Sequence, residues 1–232
     1  MRLEKASYKA IQYACKMFHY AKSVPNVGLS YSVFNDKKEW CGVICFGIGA
    51  TNNIAMPYGL NQGQVIELVR MAMNGKQEST TKAMAIALKL VYKDAPNVKL
   101  VVSYADSEQG HYGTIYQATN WFYTGFSTDT NLIVNGKREH RRTLGSRFGT
   151  CSADAIRQKG YKVEVIKTKP KWKYIYPLYK SLIPLCKSLS KPYPKNAAVA
   201  HSGEHCDSIT EGAFDATLPL KTEKKWVTKV TH

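Results

Sequence analysis

Alternating strand-like and helix-like segments between residues 65 and 125 restrict the fold more than any other feature of the chain. The pattern predicts a strand over 65–73, a polar loop and helix over 79–92, and a second strand over 98–104. A short helix ending near Trp121 and a third strand opening at Phe122 complete the unit. A β-α-β-α-β segment this compact lays crossover helices on strands that must be buried. It also gathers loops at the carboxyl ends of those strands, where open α/β sheets bind ligands.

The flanking segments supply the rest of the sheet. Tyr8, Ile11, Ala14, Cys15 and Phe18 follow the spacing of an amphipathic helix, and Pro25 and Gly28 place its end near residues 19–22. Residues 29–34 and 39–48 surround Asn35, Asp36, Lys37 and Lys38 and read as a hairpin, with a second strand apolar on both faces. Residues 50–64 are rich in turn formers and make a long loop. Glu67 and Arg70 interrupt the strand over 65–73. In a regular strand they point to opposite faces, which a bulge could change; either one charge at an edge with the other in a buried ion pair, or catalysis, accounts for them.

Several positions are suited to chemistry. Asn74, Gly75, Lys76 and Gln77 lead to Ser79 or Thr80 as a helix cap, and free amides at a helix start suit a phosphate. Asp106 follows the second strand, as an active-site carboxylate or as the cap of a turn. The next helix is expected to present Tyr116 and Asn120 one turn apart. Asn135 and Gly136 mark a tight hairpin. Its returning arm carries Lys137, Arg138, His140, Arg141 and Arg142, with Arg147 further on, a shape suited to phosphates. A helix over 152–159, strands over 161–166 and 172–176, and a helix over 178–189 kinked by Pro184 follow.

Thirty-three Lys and Arg against seventeen Asp and Glu leave a net charge of +16, which favours a polyanionic partner. No apolar run approaches the ~20 residues of a membrane span, and a cytoplasmic protein is expected. The cysteines form no CxxC pair and are read as reduced thiols. Beyond residue 190 periodicity fades, so one domain over 1–190, with a basic hairpin insertion at 127–150, and a weakly ordered tail over 191–232 are expected.

Four strings together carry a family resemblance: HYAKSVP (19–25), GVICFGIGA (42–50), ELVRMAMNGK (67–76) and SYADSEQGHYGTIYQATNWFYTG (103–125). They resemble the Mom family of phage DNA-modification proteins, within the GNAT superfamily of acyl-CoA-using transferases. The resemblance implies a GNAT-like mixed sheet in which strands 65–73 and 98–104 splay apart around acetyl-CoA or a related acyl-CoA. Arg70, Met71, Asn74, Gly75, Lys76, Ser79, Thr80, Thr81 and Asn120 would hold that cofactor. The usual superfamily loop is richer in glycine, whereas here only Gly75 is present.

The implied reaction converts N6 of adenine in DNA to a carbamoylmethyl amine, a mark that shields phage DNA from host restriction. His19, Tyr20, Ser103, Asp106 and Tyr116 are the implied catalytic residues. His19, Tyr20 and Asp106 are also candidate metal ligands, with iron as one candidate metal. Lys22, Ser23, Lys137, Arg138, Arg141, Arg142 and Arg147 would contact DNA. Adenine N6 in a duplex is out of a pocket's reach, so a flipped or single-stranded base is expected. An N-acetyltransferase acting on protein or small amines, and a basic DNA-binding module without catalysis, remain alternatives. The oligomeric state is open, a dimer included.

Overall fold

The computed structural model describes residues 1–49, 53–127, 130–139 and 141–194, with side chains excepted at 141 and 142. His140, the side chains of Arg141 and Arg142, and the expected tail from residue 195 lie outside the described residues. The chain forms two compact units. The first holds Met1–Tyr104, Gly113–Gly125 and the chain from Lys173, and the second holds Ala105–Tyr112 and Phe126–Trp172.

The chain opens with β1 (Arg2–Lys5), α1 (Tyr8–Phe18), β2 (Leu29–Phe34) and β3 (Trp40–Gly47). Next come β4 (Val65–Met73), α2 (Thr80–Asp94), β5 (Leu100–Asp106), α3 (Thr114–Gln117) and β6 (Phe122–Ser127). The second unit contributes β7 (Thr130–Val134), β8 (Lys137–Glu139), α4 (Arg141–Phe148), α5 (Ala153–Gln158) and β9 (Val163–Lys167). Then β10 (Lys171–Pro177) and α6 (Ile183–Leu189) follow.

Seven strands form one mixed sheet in the order β1-β2-β3-β4-β5-β10-β6. From β1 to β4 each pair is antiparallel, whereas β4 and β5 are parallel and joined by α2. This is the mixed α/β sheet with flanking helices that the sequence led one to expect. Ile11, Ala14 and Cys15 of α1 bury against Val43, Cys45 and Ala72. On the same face Cys186 of α6 joins Val65, Leu100, Val102 and Ile175. The opposite face meets α2, where the Tyr31 hydroxyl donates to Asp94 at 3.2 Å.

Local differences from the expected elements have physical causes. Val98 donates its N–H to Ala95, so β5 starts only at Leu100. The helix expected to run to Trp121 stops at Gln117, and Asn120 has φ +60. Asn120 therefore is not one helical turn beyond Tyr116 on a shared face. Pro184 does not kink a helix over 178–189. It occupies the first turn of α6, where a missing N–H costs nothing.

In the second unit β7 lies between β8 and β9. Asn135 and Gly136, with φ of 50° and 79°, form the predicted turn between β7 and β8. Leu132, Val134, Leu144, Phe148, Ile156 and Val163 pack as a core of their own. Arg147, expected beyond the hairpin's arm, lies on α4, and its Nη1 is 2.8 Å from the buried carboxylate of Glu139. That guanidinium also stacks over Phe148 at 4.8 Å.

Candidate active site

Pairing of β4 with β5 runs from Val65 and Leu100 to Leu68 and Ser103 and stops there, while β4 continues to Met73 and β5 to Asp106. The two parallel strands thus fork beyond Leu68 and Ser103. At the fork the Ser103 hydroxyl lies 2.9 Å from the Leu68 carbonyl oxygen and 2.8 Å from the Tyr116 hydroxyl. Serine has one hydrogen to give. Donated to Leu68, it leaves Ser103 accepting from a neutral Tyr116; turned to Tyr116, it stabilises a phenolate.

Tyr116 is positioned by α3, whose cap Gly113 has φ +81 and lies against the Tyr174 ring where a side chain would stand. Its ring packs on Trp121 and Tyr174 at centroid distances of 5.1 and 5.0 Å. Trp121 is fully buried, as expected of a core residue. Burial pushes the Tyr116 phenol up to about 12, against the lowering effect of the Ser103 hydrogen bond, and the charges of Tyr20 and Glu67 raise it further. At neutral pH Tyr116 is a proton donor.

The charge of Glu67 is felt by Tyr116, and a bulge decides which face of β4 Glu67 shares with Arg70. On β3, Cys45 opposes Arg70 and Phe46 opposes Leu68, so Val69 is an extra residue in β4. The insertion puts Glu67 and Arg70 on one face, contrary to the regular-strand expectation. They do not form an opposite-face arrangement because the bulge resets the alternation. Burial raises the Tyr104 phenol, and the Glu67 carboxylate adds to that rise. Arg70 folds back instead, with Nη1 donating to its neighbour's carbonyl at Val69 and Nε buried without a partner among the described residues. Glu67 was weighed as a catalytic charge by sequence but not assigned to the site, and Tyr104 was not singled out. The charge at Glu67 inside an apolar strand was the available signal.

His19 caps α1, and its Nδ1 accepts from the Ala21 N–H at 3.1 Å. The proton of a neutral His19 is thereby assigned to Nε2. Its ring packs at a tilt against Tyr20, with centroids 4.2 Å apart. Lys22 has φ +49 and donates to the Met17 carbonyl, and Ser23 is exposed beside it. Asp106 caps the turn Ser107–Gln109, accepting from the Glu108 N–H at 3.0 Å, and belongs to the second unit.

The loop before α2 holds a defined shape. Asn74 donates to the Cys41 and Trp40 carbonyls, and its own Oδ1 accepts from the Lys76 N–H at 3.0 Å. Gly75, at φ +84, has open space where a side chain would be. Ser79 caps α2 by accepting from the Lys82 N–H, and its hydroxyl meets that of Thr81 at 2.9 Å. Gln77 donates to Thr80 at 2.9 Å. Met71 lies on β4 beyond the last residue paired with β5. A strand fork, an open turn at Gly75 and a fifteen-residue helix start suit a thioester with a pyrophosphate. Iron has no such support: among the described residues no three His, Cys, Asp or Glu gather as a metal would require.

The fold and fork define a mixed α/β sheet that opens between two parallel strands. A spermidine/spermine N-acetyltransferase from Vibrio cholerae is similar at TM-score 0.44 with 8% identity, covering 79% of this chain and 97% of that one. A Bacillus subtilis acetyltransferase in complex with CoA is similar at TM-score 0.40 with 12% identity, covering 76% and 97%. The Mom protein family model matches residues 1–195, and the chain belongs to that family. The methylcarbamoylase Mom of Escherichia phage Mu is 28% identical over 152 residues, covering 63% of this chain and 62% of the relative. The chain thus matches less than two thirds of that relative's length.

Proposed function

We propose that this protein is a phage DNA-modification enzyme that places a carbamoylmethyl group on N6 of adenine, protecting the DNA from host restriction. Its membership of the Mom family and the name of its phage Mu relative, a methylcarbamoylase, support the reaction class. The observation that carries the site is the Ser103–Tyr116 hydrogen bond at the fork of β4 and β5. Acyl-CoA, when bound in that fork, supplies the acyl carbons and a thiol leaving group. Arg70, Met71, Asn74, Gly75, Lys76, Ser79, Thr80 and Thr81 would line or cradle it, and Asn120 would border it.

The chain's own groups divide the proton work. Tyr116, neutral at physiological pH, gives its proton to the departing thiolate, and Ser103 turns its hydrogen to the phenolate left behind. Glu67 is the candidate acceptor for the proton lost from adenine N6, with His19, Tyr20 and Asp106 as further candidate acid-base groups. The new bond joins N6 to a methylene carbon and the product ends in a primary amide. Starting from an acetyl thioester, that balance requires an amine donor for the amide nitrogen and a two-electron oxidant at the methyl carbon. Lys22, Ser23, Lys137, Arg138, Arg141, Arg142 and Arg147 are the proposed DNA contacts, with Arg147 sharing its guanidinium with Glu139.

Mass spectrometry of nucleosides from cells expressing the protein tests the reading. Deoxyadenosine carrying a carbamoylmethyl group is expected. Unmodified deoxyadenosine alone, with folded protein present, would reject it, and consumption of acetyl-CoA without DNA would point instead to a protein or small-amine acetyltransferase.

A further inference from the structure

No Asp or Glu occurs from Lys5 to Asn35, a stretch that contains Lys5, Lys9, Lys16 and Lys22. On α1, Ile11, Ala14 and Cys15 face the core, and Lys9, Tyr13, Lys16 and Met17 share the outward side. Lys9, Tyr13 and Lys16 follow the i, i+4, i+7 spacing that keeps side chains on one helix face. Tyr13 is 54% exposed although its ring touches Phe18 and Trp40 at 5.7 and 5.9 Å. Beside it lies an open groove of about 440 Å³ whose walls include Tyr13, Phe34 and Trp40, with Lys5 and Ser32 as polar groups. Glu4 at the groove is already paired with Arg2 at 2.9 Å. The helix ends at His19, and exposed Tyr20 follows it, the ring whose charge is felt by Tyr116 at the fork.

We propose that the outer face of α1 and the groove beside it bind an unpaired DNA strand, with a base stacked at Tyr13 and Trp40 and phosphates met by Lys9 and Lys16. The inference rests on the DNA reading above and adds where the strand runs. Aromatic faces interleaved with lysines suit a single strand, because every base offers a π-face and every linkage a phosphate. The acid-free stretch provides the charge complementarity, since no carboxylate on α1 repels the backbone. The strand's direction along α1 leads to Tyr20, so the track delivers an extruded base towards the candidate active site.

The test uses the full chain and a bromouracil-substituted single-stranded oligodeoxynucleotide. Ultraviolet crosslinking followed by peptide mapping is expected to mark Tyr13 or Trp40. Tyr13→Ala, which removes an exposed ring, should weaken single-strand binding roughly ten-fold, the order expected for loss of one stacked base. Lys9→Gln with Lys16→Gln should reduce the slope of log K against log salt by about 1.4, two single-strand phosphates' worth. Crosslinks confined to residues 137–171, with affinity and slope unchanged in these variants, would overturn the proposal, as would tighter binding of duplex that does not depend on Tyr13. Nucleoside digests on the same variants separate the two readings. A modified base made without α1 contacts rejects this inference alone, whereas α1 contacts without any modified base support it and reject the proposed reaction.

Discussion

At the scale of single residues the account turns on Tyr116. Its hydroxyl has a hydrogen-bond partner at the fork, a buried ring and a phenol pushed up to about 12. Tyr116→Phe keeps the ring and its packing but removes the proton. Turnover should fall by about 10²–10⁴-fold, the usual contribution of a positioned acid, with an unchanged circular dichroism spectrum. Ser103→Ala should lose less, because Tyr116 keeps its proton and only the partner that stabilises the phenolate goes. Sequence reading reached Ser103 and Tyr116 through the string they share, but their contact spans thirteen positions and a change of element. No periodicity encodes such a contact. The pairing of Arg147 with Glu139 was not legible for the same reason, since Glu139 lies on the preceding strand.

At the scale of elements, most of the strands and helices were legible because each carries its own periodicity or cap. Ser7, Ser79 and Ser152 each accept from the N–H three positions on, the local signature of a helix start. β1 was missed because only Leu3 of its four residues is buried, leaving no alternation to read. A bulge between Glu67 and Arg70 stayed only a possibility in the sequence because one inserted residue in an apolar run changes no composition, yet it decides which face the two share. Two predictions belong here. Gly113→Ala forces a side chain into the Tyr174 ring at a positive φ, and a loss of about 3 kcal/mol in urea unfolding is expected, with activity falling as α3 shifts. Ser79→Ala removes the α2 cap and should cost about 1 kcal/mol in the same measurement.

For the molecule as a whole, buried phenols and thiols set the pH range of stability. Burial raises Tyr31 and Tyr58, and it takes Tyr174, Cys45 and Cys186, like Tyr116, up to about 12. A raised folded-state value means the unfolded chain ionises first, so the contribution is intact below the unfolded thiol and phenol range and is lost as pH rises towards the folded values. Melting temperature should hold through neutral pH and decline from about pH 9 upward. A flat profile to pH 11 would show that these groups ionise as readily in the folded protein. The net charge of +16 adds a second whole-molecule expectation: DNA affinity should drop steeply with salt in a filter-binding series.

On the proposed reading, the forked sheet with Tyr116 at its apex modifies adenine. That reading is tested most directly by digesting DNA from cells that express either the native chain or Tyr116→Phe and measuring carbamoylmethyl-deoxyadenosine in both. The account predicts the modified nucleoside with the native chain and its near disappearance with the variant at equal protein level. Equal amounts in both digests, or none in either with folded protein present, would contradict it.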